Sequence, residues 1–388
     1  MSLEREIGYI RGDGIGSDIW PVTQDVLTCA VKLSVPDAQV KWKEILVGGK
    51  AYADTGEYLP HVSLEEIRRI GATIKGPLTT PIGGGYRSLN VTLRQELKLY
   101  ACVRQFTWIP GVPSPLRHPE HVDIVLFREN LEDIYTGIEW QYDSEELKEL
   151  RDWVKRTCGR NIPEDAGVGI KYISRSGSRR IIGKAIEYAV RHGRKKVTIV
   201  HKGNIMKFTE GAFAKWGQEL AGSLDMAASI TVDDCLADNM FQQILTRPRE
   251  YSVLVTPNLN GDYLSDALAG MIGGLGVCPG ANIGDDAALF EAAHGSAPKY
   301  AGKNKANPTA LILSGAMLLE YIGWPGAAQL VRQGIRGVVR RKIGTYDMAR
   351  QDPQFTEVGT REFGEHVITE MEQIAGSCGL ATEAKQDR

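Results

Sequence analysis

The stretch that settles the architecture is "VTIVHKGNIMKFTEGAFAKWGQELAG", residues 197–222. It opens with a compact, β-branched and nearly all-apolar run, as expected of a strand covered on both faces. A short turn containing Gly203 follows, and then apolar positions return at helical spacing through "EGAFAKWGQELAG". A buried strand feeding a helix is half of a βαβ unit, and the rest of the chain repeats the theme. "IGYI" (7–10) runs through a glycine turn into the amphipathic "DIWPVTQDVLTCAVKL". "GATIKGPL", "VDIVLF" and "YSVLVT" are further buried strands, with helices such as "RRIIGKAIEYAVRHG" between them. This alternation predicts an α/β protein with a doubly wound sheet.

Other segments sit around that frame. "IPGVPSPLRHP" (109–119) carries four prolines in eleven residues and is the expected crossing between domains. "YDSEELKELRDWVKRTCGRNIPED" is charge-rich, helical at first, and reads as a peripheral arm. "NPTALILSGAMLLEYIGW" is interrupted by Asn307, Pro308, Ser314 and Glu320, so it reads as a buried helix and not a membrane span. At 388 residues the chain should form two or three domains.

With 46 basic and 48 acidic residues the net charge is −2, which excludes a bulk attraction to nucleic acid or to a membrane surface. Anion binding must therefore be local. The six cysteines are scattered without a C-x-x-C pair, which suggests free thiols in a reducing compartment. The first residues show no apolar leader, and the expectation is a cytoplasmic protein.

Two glycine-rich stretches raise the question of anion binding. "GDGIG" (12–16) lies between a strand and a helix, but Ser17 stands where a dinucleotide fingerprint needs its third glycine. A tight strand–helix turn explains it equally well. In "GGGYRSLNVTLRQEL" (83–97), Arg87, Ser88, Asn90 and Arg94 follow a glycine loop at a helix start. They are either an ordinary N-cap with solvated neighbours or an anion pocket built from N–H groups, a hydroxyl, an amide and guanidiniums.

The acidic residues suggest a cation. Asp234 and Asp238 are four apart, as are Asp262 and Asp266, which predicts two pairs that each share a helix face. Such pairs repel by roughly 0.2–0.5 kcal/mol unless a cation sits between them. Oxygen donors suit Mg²⁺ or Mn²⁺, while two solvated helix faces would leave the same pattern. Lys202 falls at the carboxyl end of a buried strand, where side chains face a crevice. Tyr135 and Arg128 can be read as core or ion-pair residues as readily as site residues.

Over nearly its whole length the chain resembles the bacterial-type NADP-dependent isocitrate dehydrogenases of the β-decarboxylating dehydrogenase family. The resemblance runs through "GDGIG", "IKGPLTTPIGGGYRSLNVTLRQELKLY", "FRENLEDIYTGIEW", "VHKGNIMKFTEGAF", "NLNGDYLSDALAG", "GANIGDDAALFEAAHGSAPKYAG" and "TYD". It implies the isocitrate/isopropylmalate dehydrogenase-like fold, with two α/β domains and a clasp arm, in place of a Rossmann dinucleotide domain. The implied divisions are 1–99 with 273–388 (large domain), 100–132 with 175–272 (small domain) and 133–174 (clasp arm). It also implies a homodimer with shared sites, isocitrate as substrate, NADP and Mg²⁺ or Mn²⁺.

By motif, Ser88 and Asn90 hold the carboxylate that distinguishes isocitrate, and Arg94, Arg104 and Arg128 hold the others. Tyr135 and Lys202 are the acid–base pair. Asp262 and Asp266 bind the metal with Asp238, and Asp238 and Lys202 come from the partner. Thr80, His294, Lys299, Tyr300, Asn307, Tyr346 and Arg350 contact NADP. The resemblance admits a regulatory kinase at Ser88 as a further partner. A dehydrogenase for a related 3-substituted malate such as homoisocitrate, or a non-catalytic regulatory subunit, stand as alternatives. The chain is shorter than the best-known bacterial members between residues 222 and 233.

Overall fold

The β-branched runs pair into one sheet. The computed structural model describes residues 3–79 and 88–386, with side chains over 4–79 and 88–377. Thr80, Arg87 and the glycines at 83–85 therefore lie outside the described residues. In chain order the strands are β1 (Leu3–Ile10), β2 (Ala38–Glu44), β3 (Ala72–Lys75), β4 (Ala101–Thr107), β5 (Asp123–Glu129), β6 (Glu139–Trp140) and β7 (Val168–Gly169). They continue with β8 (Lys196–His201), β9 (Thr231–Leu236), β10 (Val253–Thr256), β11 (Pro279–Ile283), β12 (Ala288–Ala292), β13 (Ile343–Gly344) and β14 (Thr356–Glu357).

Ten of these form a continuous sheet in the order β2-β1-β3-β12-β11-β4-β5-β10-β8-β9. The flanks are parallel, while β12, β11, β4 and β5 pair antiparallel in the middle. Helices cover both faces, as strands such as β3 and β10 require, since every residue in them is buried. The apolar helix Thr309–Tyr321 is buried from Thr309 through Leu319, as its sequence predicts. No described helix is long and apolar enough to cross a membrane.

Two expectations need correction, and one open alternative is decided. The proline-rich segment joins β4 to β5, which are adjacent antiparallel strands, so it is a hairpin connection and not a crossing. Proline marks a stiff, non-helical chain but does not say how far its ends travel. Asp234 lies in β9 while Asp238 opens the helix Ala237–Thr246, so the two do not share a helix face. "GDGIG" is a turn: Gly12 and Gly14 have φ of 84° and 55°, and a Cβ on Gly14 would lie 2.1 Å from the Ser296 carbonyl oxygen. The Asp13 carboxylate accepts the amides of Gly49 and Thr79, both at 2.8 Å, tying this turn to two other loops.

The arm segment pairs β6 with β7 and carries the amphipathic helix Glu145–Cys158. The segment after residue 222 is a compact turn, Asp225–Ser229, leading directly into β9.

Candidate active site

Parallel strands β5, β10 and β8 point the same way, and their carboxyl ends carry Arg128, the helix Asn258–Met271 and Lys202. This is where ligands bind in open α/β sheets. Arg128 is 1% exposed, and its guanidinium is fixed on two sides. Nε and Nη2 donate to Asn258 Oδ1 at 2.9 and 2.7 Å, and Nη1 donates to Asp262 Oδ1 at 2.5 Å. Gly261 leaves room for the arginine stem, since an added Cβ would lie 2.5 Å from Arg128 Cγ. Tyr135 donates its hydroxyl to Asp262 Oδ2 at 2.5 Å, and its ring lies 4.8 Å from the Arg128 guanidinium.

Burial and the Asp262 contact push the Tyr135 phenol up to about 12. For Asp262, burial works upward, but the charge of Arg128 and the hydroxyl of Tyr135, with Arg104 and Arg94 behind them, hold the carboxyl below the usual range. Asp262 is therefore the point on which all three predicted arginines bear. Arg104 reaches Ser265 Oγ at 2.6 Å and Asp266 at 3.5 Å, and Asp262 and Asp266 share one face of the 258–271 helix.

At the start of the helix Leu89–Glu96, Ser88 occupies the N-cap position, but its side chain makes no capping bond. Asn90 Oδ1 and Arg94 Nε are buried, with no hydrogen-bond partner among the described residues. The ordinary N-cap reading of Ser88 fails on that geometry, because the hydroxyl is not committed to the helix. Arg94 Nη2 meets Glu291 at 3.2 Å, and Glu291 also binds Lys75 at 2.6 Å and Asn282 at 2.6 Å. Burial alone would raise the Glu291 carboxyl, yet Lys75 and Arg94 hold it far below the ordinary range.

Sequence reasoning missed Glu291 and Lys75. It also missed Glu210, a buried acid that accepts the Lys202 amide at 2.5 Å, Lys171 at 2.6 Å and Asn260 at 2.8 Å. The one available signal was an acidic residue inside an otherwise apolar run, in "ALFEAA" and "FTEGAF".

Lys202 and Asp238 form their own pair at 2.7 Å. Among the described residues no hydrogen bond or ion pair joins them to Tyr135, Asp262 or Asp266. Of the remaining predicted residues, His294, Tyr300, Asn307, Tyr346 and Arg350 line one cavity of about 250 Å³, with Lys305 and Asp347 added. Lys299 stands beside it, its ammonium 5.0 Å from the Tyr300 ring. Lys305 and Arg350 lie 5.4 and 5.9 Å from the Tyr346 ring. His294 Nε2 is buried with no hydrogen-bond partner among the described residues, and burial lowers the imidazole's affinity for a proton.

A cationic crevice next to a separate cavity of aromatic and basic side chains is the layout of an enzyme that brings a small polyanion to a nucleotide. The chain belongs to the isocitrate/isopropylmalate dehydrogenase family, whose model matches residues 6–367. It is 50% identical to the NADP isocitrate dehydrogenase of Archaeoglobus fulgidus over 387 residues, covering 95% of this chain and 93% of the relative. The NADP isocitrate dehydrogenase of Coxiella burnetii is also 50% identical, over 93% of this chain and 90% of its own length. The crystal structure of isocitrate dehydrogenase from Methylococcus capsulatus superposes with a TM-score of 0.80 at 42% identity, covering 95% of this chain and 99% of that one.

Proposed function

We propose that this chain oxidises isocitrate to 2-oxoglutarate and CO₂ with reduction of NADP. The observation that carries the reading is the set of polar atoms at the 89–96 helix that have no hydrogen-bond partner among the described residues, the Ser88 hydroxyl, Asn90 Oδ1 and Arg94 Nε, together with the two fixed guanidiniums of Arg104 and Arg128. A buried polar atom without a partner costs about 1–3 kcal/mol, which a bound ligand returns. Isocitrate, with three carboxylates and a hydroxyl, supplies matching acceptors. In this reading Ser88 and Asn90 hold the carboxylate peculiar to isocitrate, while Arg94, Arg104 and Arg128 hold the others in the bidentate manner of guanidinium.

Tyr135 and Lys202 divide the proton work. A phenol pushed up to about 12 remains protonated at neutral pH, as a donor to the substrate's C3 carbon must. Lys202 takes the proton of the substrate hydroxyl. The aromatic and cationic cavity with Tyr300, Tyr346 and Arg350, and Lys299 beside it, suits the 2′-phosphate and adenosine of NADP, which would supply the acceptor for the C2 hydride, with the His294 nitrogen and Asn307 nearby. Thr80 belongs to the same coenzyme set by motif.

The acidic set fits a hard divalent cation, since Asp262 stays ionised and shares a helix face with the exposed Asp266. Mg²⁺ or Mn²⁺, held by these two and by Asp238 of the partner subunit, would supply Lewis-acid polarisation of the substrate's oxygens.

A homodimer supports this division of labour. Among the exposed apolar side chains are Ile205 and Phe208 after Lys202, Tyr142 and Trp153 of the arm, and Tyr263 between Asp262 and Asp266. Lys202 and Asp238 would then serve the partner's crevice. The large-domain, small-domain and arm divisions are proposed with it, the sheet running unbroken across them between β11 and β4. The uncommitted Ser88 hydroxyl is also open to a regulatory kinase. The test is NADPH absorbance with isocitrate: robust formation that stops with EDTA and returns with Mg²⁺ or Mn²⁺. Equal or faster turnover of homoisocitrate, or none of either, would overturn the reading.

A further inference from the structure

The connection between β4 and β5 carries "HPEH", residues 118–121, which no step of the proposed reaction uses. It lies at the end of the strand pair opposite Arg128, roughly 20 Å away by strand rise. Pro119 starts the turn Pro119–His121, which folds the two histidines back so that their rings stack at 5.1 Å. His118 Nδ1 is 3.1 Å and His121 Nε2 is 3.7 Å from the same oxygen, Glu120 Oε1. All three ligand atoms lie within 4.8 Å of one another, the only such trio of His, Cys, Asp or Glu among the described residues. A tetrahedral ion with bonds of about 2.0–2.2 Å separates its ligands by roughly 3.3–3.6 Å, so two of the distances already bracket that spacing.

We propose that His118, Glu120 and His121 form a surface site for a divalent transition-metal ion of the zinc, nickel or copper class. The two imidazoles are borderline donors, which select such ions over Mg²⁺ and separate this site from the all-oxygen aspartates, while the carboxylate adds a charged third ligand. Solvent completes the coordination. Arg249 contacts His121 Nε2 from the neighbouring turn Pro248–Glu250, and because a guanidinium only donates, that nitrogen presents its lone pair. The arginine side chain is exposed and can leave, so it acts as a competitor held at the mouth of the site.

The experiment titrates Zn²⁺ into the full-length protein with excess Mg²⁺ and isocitrate occupying the other acidic site, reading bound metal by equilibrium dialysis. One Mg²⁺-resistant Zn²⁺ per chain is expected. His118→Ala and His121→Ala should each weaken it at least tenfold, with unchanged circular dichroism and isocitrate turnover, and Arg249→Ala should tighten it. Titration with Co²⁺ gives a second readout, an intense visible absorption that both histidine variants lose. The absence of Mg²⁺-resistant Zn²⁺, or its persistence in both histidine variants, overturns the site.

Discussion

The floor of the crevice and the wall of the neighbouring cavity hold their cations in opposite ways. On the floor, Arg128, Arg104, Arg94 and Lys75 are largely buried and paired with Asp262, Ser265, Asp266 and Glu291, partners more than a hundred positions away. At the cavity, Lys305 and Arg350 in its wall and Lys299 beside it are exposed and lie on the rings of Tyr300 and Tyr346, within two short segments of the chain. The floor is part of the core's electrostatic balance, so its residues cannot change without cost to the fold. The wall is a set of local contacts whose residues can be exchanged to alter what is bound.

The sharpest break in that comparison is a floor residue that does chemistry without carrying charge balance. Tyr135→Phe should lower kcat about 10²–10⁴-fold, the usual contribution of a positioned acid, while the isocitrate KM and the unfolding midpoint hardly move. A proportional rise in KM with kcat preserved would make Tyr135 a binding residue only. Mixing Tyr135→Phe with Lys202→Met subunits should recover activity, because one crevice of each heterodimer collects both lesions and the other none. No recovery after verified subunit exchange would contradict shared sites.

Glu291→Gln tests the charge balance itself. It leaves Lys75 and Arg94 buried with no counter-charge, and breaking such a set costs about 3–5 kcal/mol. The folded carboxyl is held below its ordinary value of 4.5, so its contribution is fully present above that pH and fades as the pH falls below it. Urea unfolding across pH should show the wild-type advantage over Glu291→Gln shrinking in acid. A pH-independent difference would mean that the pair contributes by packing alone.

The wall should respond with selectivity and not stability. Lys299→Asp with Tyr300→Ile and Arg350→Ala removes two cationic donors, each contributing about 1.5–3 kcal/mol, so kcat/KM for NADP should fall at least about a hundredfold. NAD should gain less, because repulsion discriminates more readily than new contacts attract. Thermal midpoints should stay within a degree or two of wild type by roughly the scale of surface substitutions. A large loss of stability would erase the distinction between wall and floor.

The same contrast explains what the sequence made legible. Five strands of the sheet, β1, β3, β5, β8 and β10, and the Thr309–Tyr321 helix were readable because a compact apolar run is a local signal, and Asp262 with Asp266 because both fall in one helix; β2, β4, β9, β11 and β12, whose runs are more mixed, were not. Ser88, Asn90 and Arg94 were readable as a motif, although only the geometry removed the capping alternative. Glu291, Lys75 and Glu210 were not, because the partner of a buried charge is fixed by strand pairing such as β12 with β3, and not by neighbours in sequence. Asp234 was misread for the converse reason: a spacing of four means a shared face only if both residues are helical, and β9 ends between them.

The most direct test of the central claim, that the free groups at the 89–96 helix form the isocitrate pocket, is the turnover of Ser88→Asp. Its hydroxyl caps nothing, so the substitution should leave the unfolding midpoint and NADP binding close to wild type. A fixed negative charge beside a substrate carboxylate in a low-dielectric crevice costs several kcal/mol, by the order of about 4 at an effective dielectric of 20. Isocitrate-dependent NADPH formation should be abolished. Activity within a factor of about two of wild type, well under the tenfold that 1.4 kcal/mol produces, would contradict it.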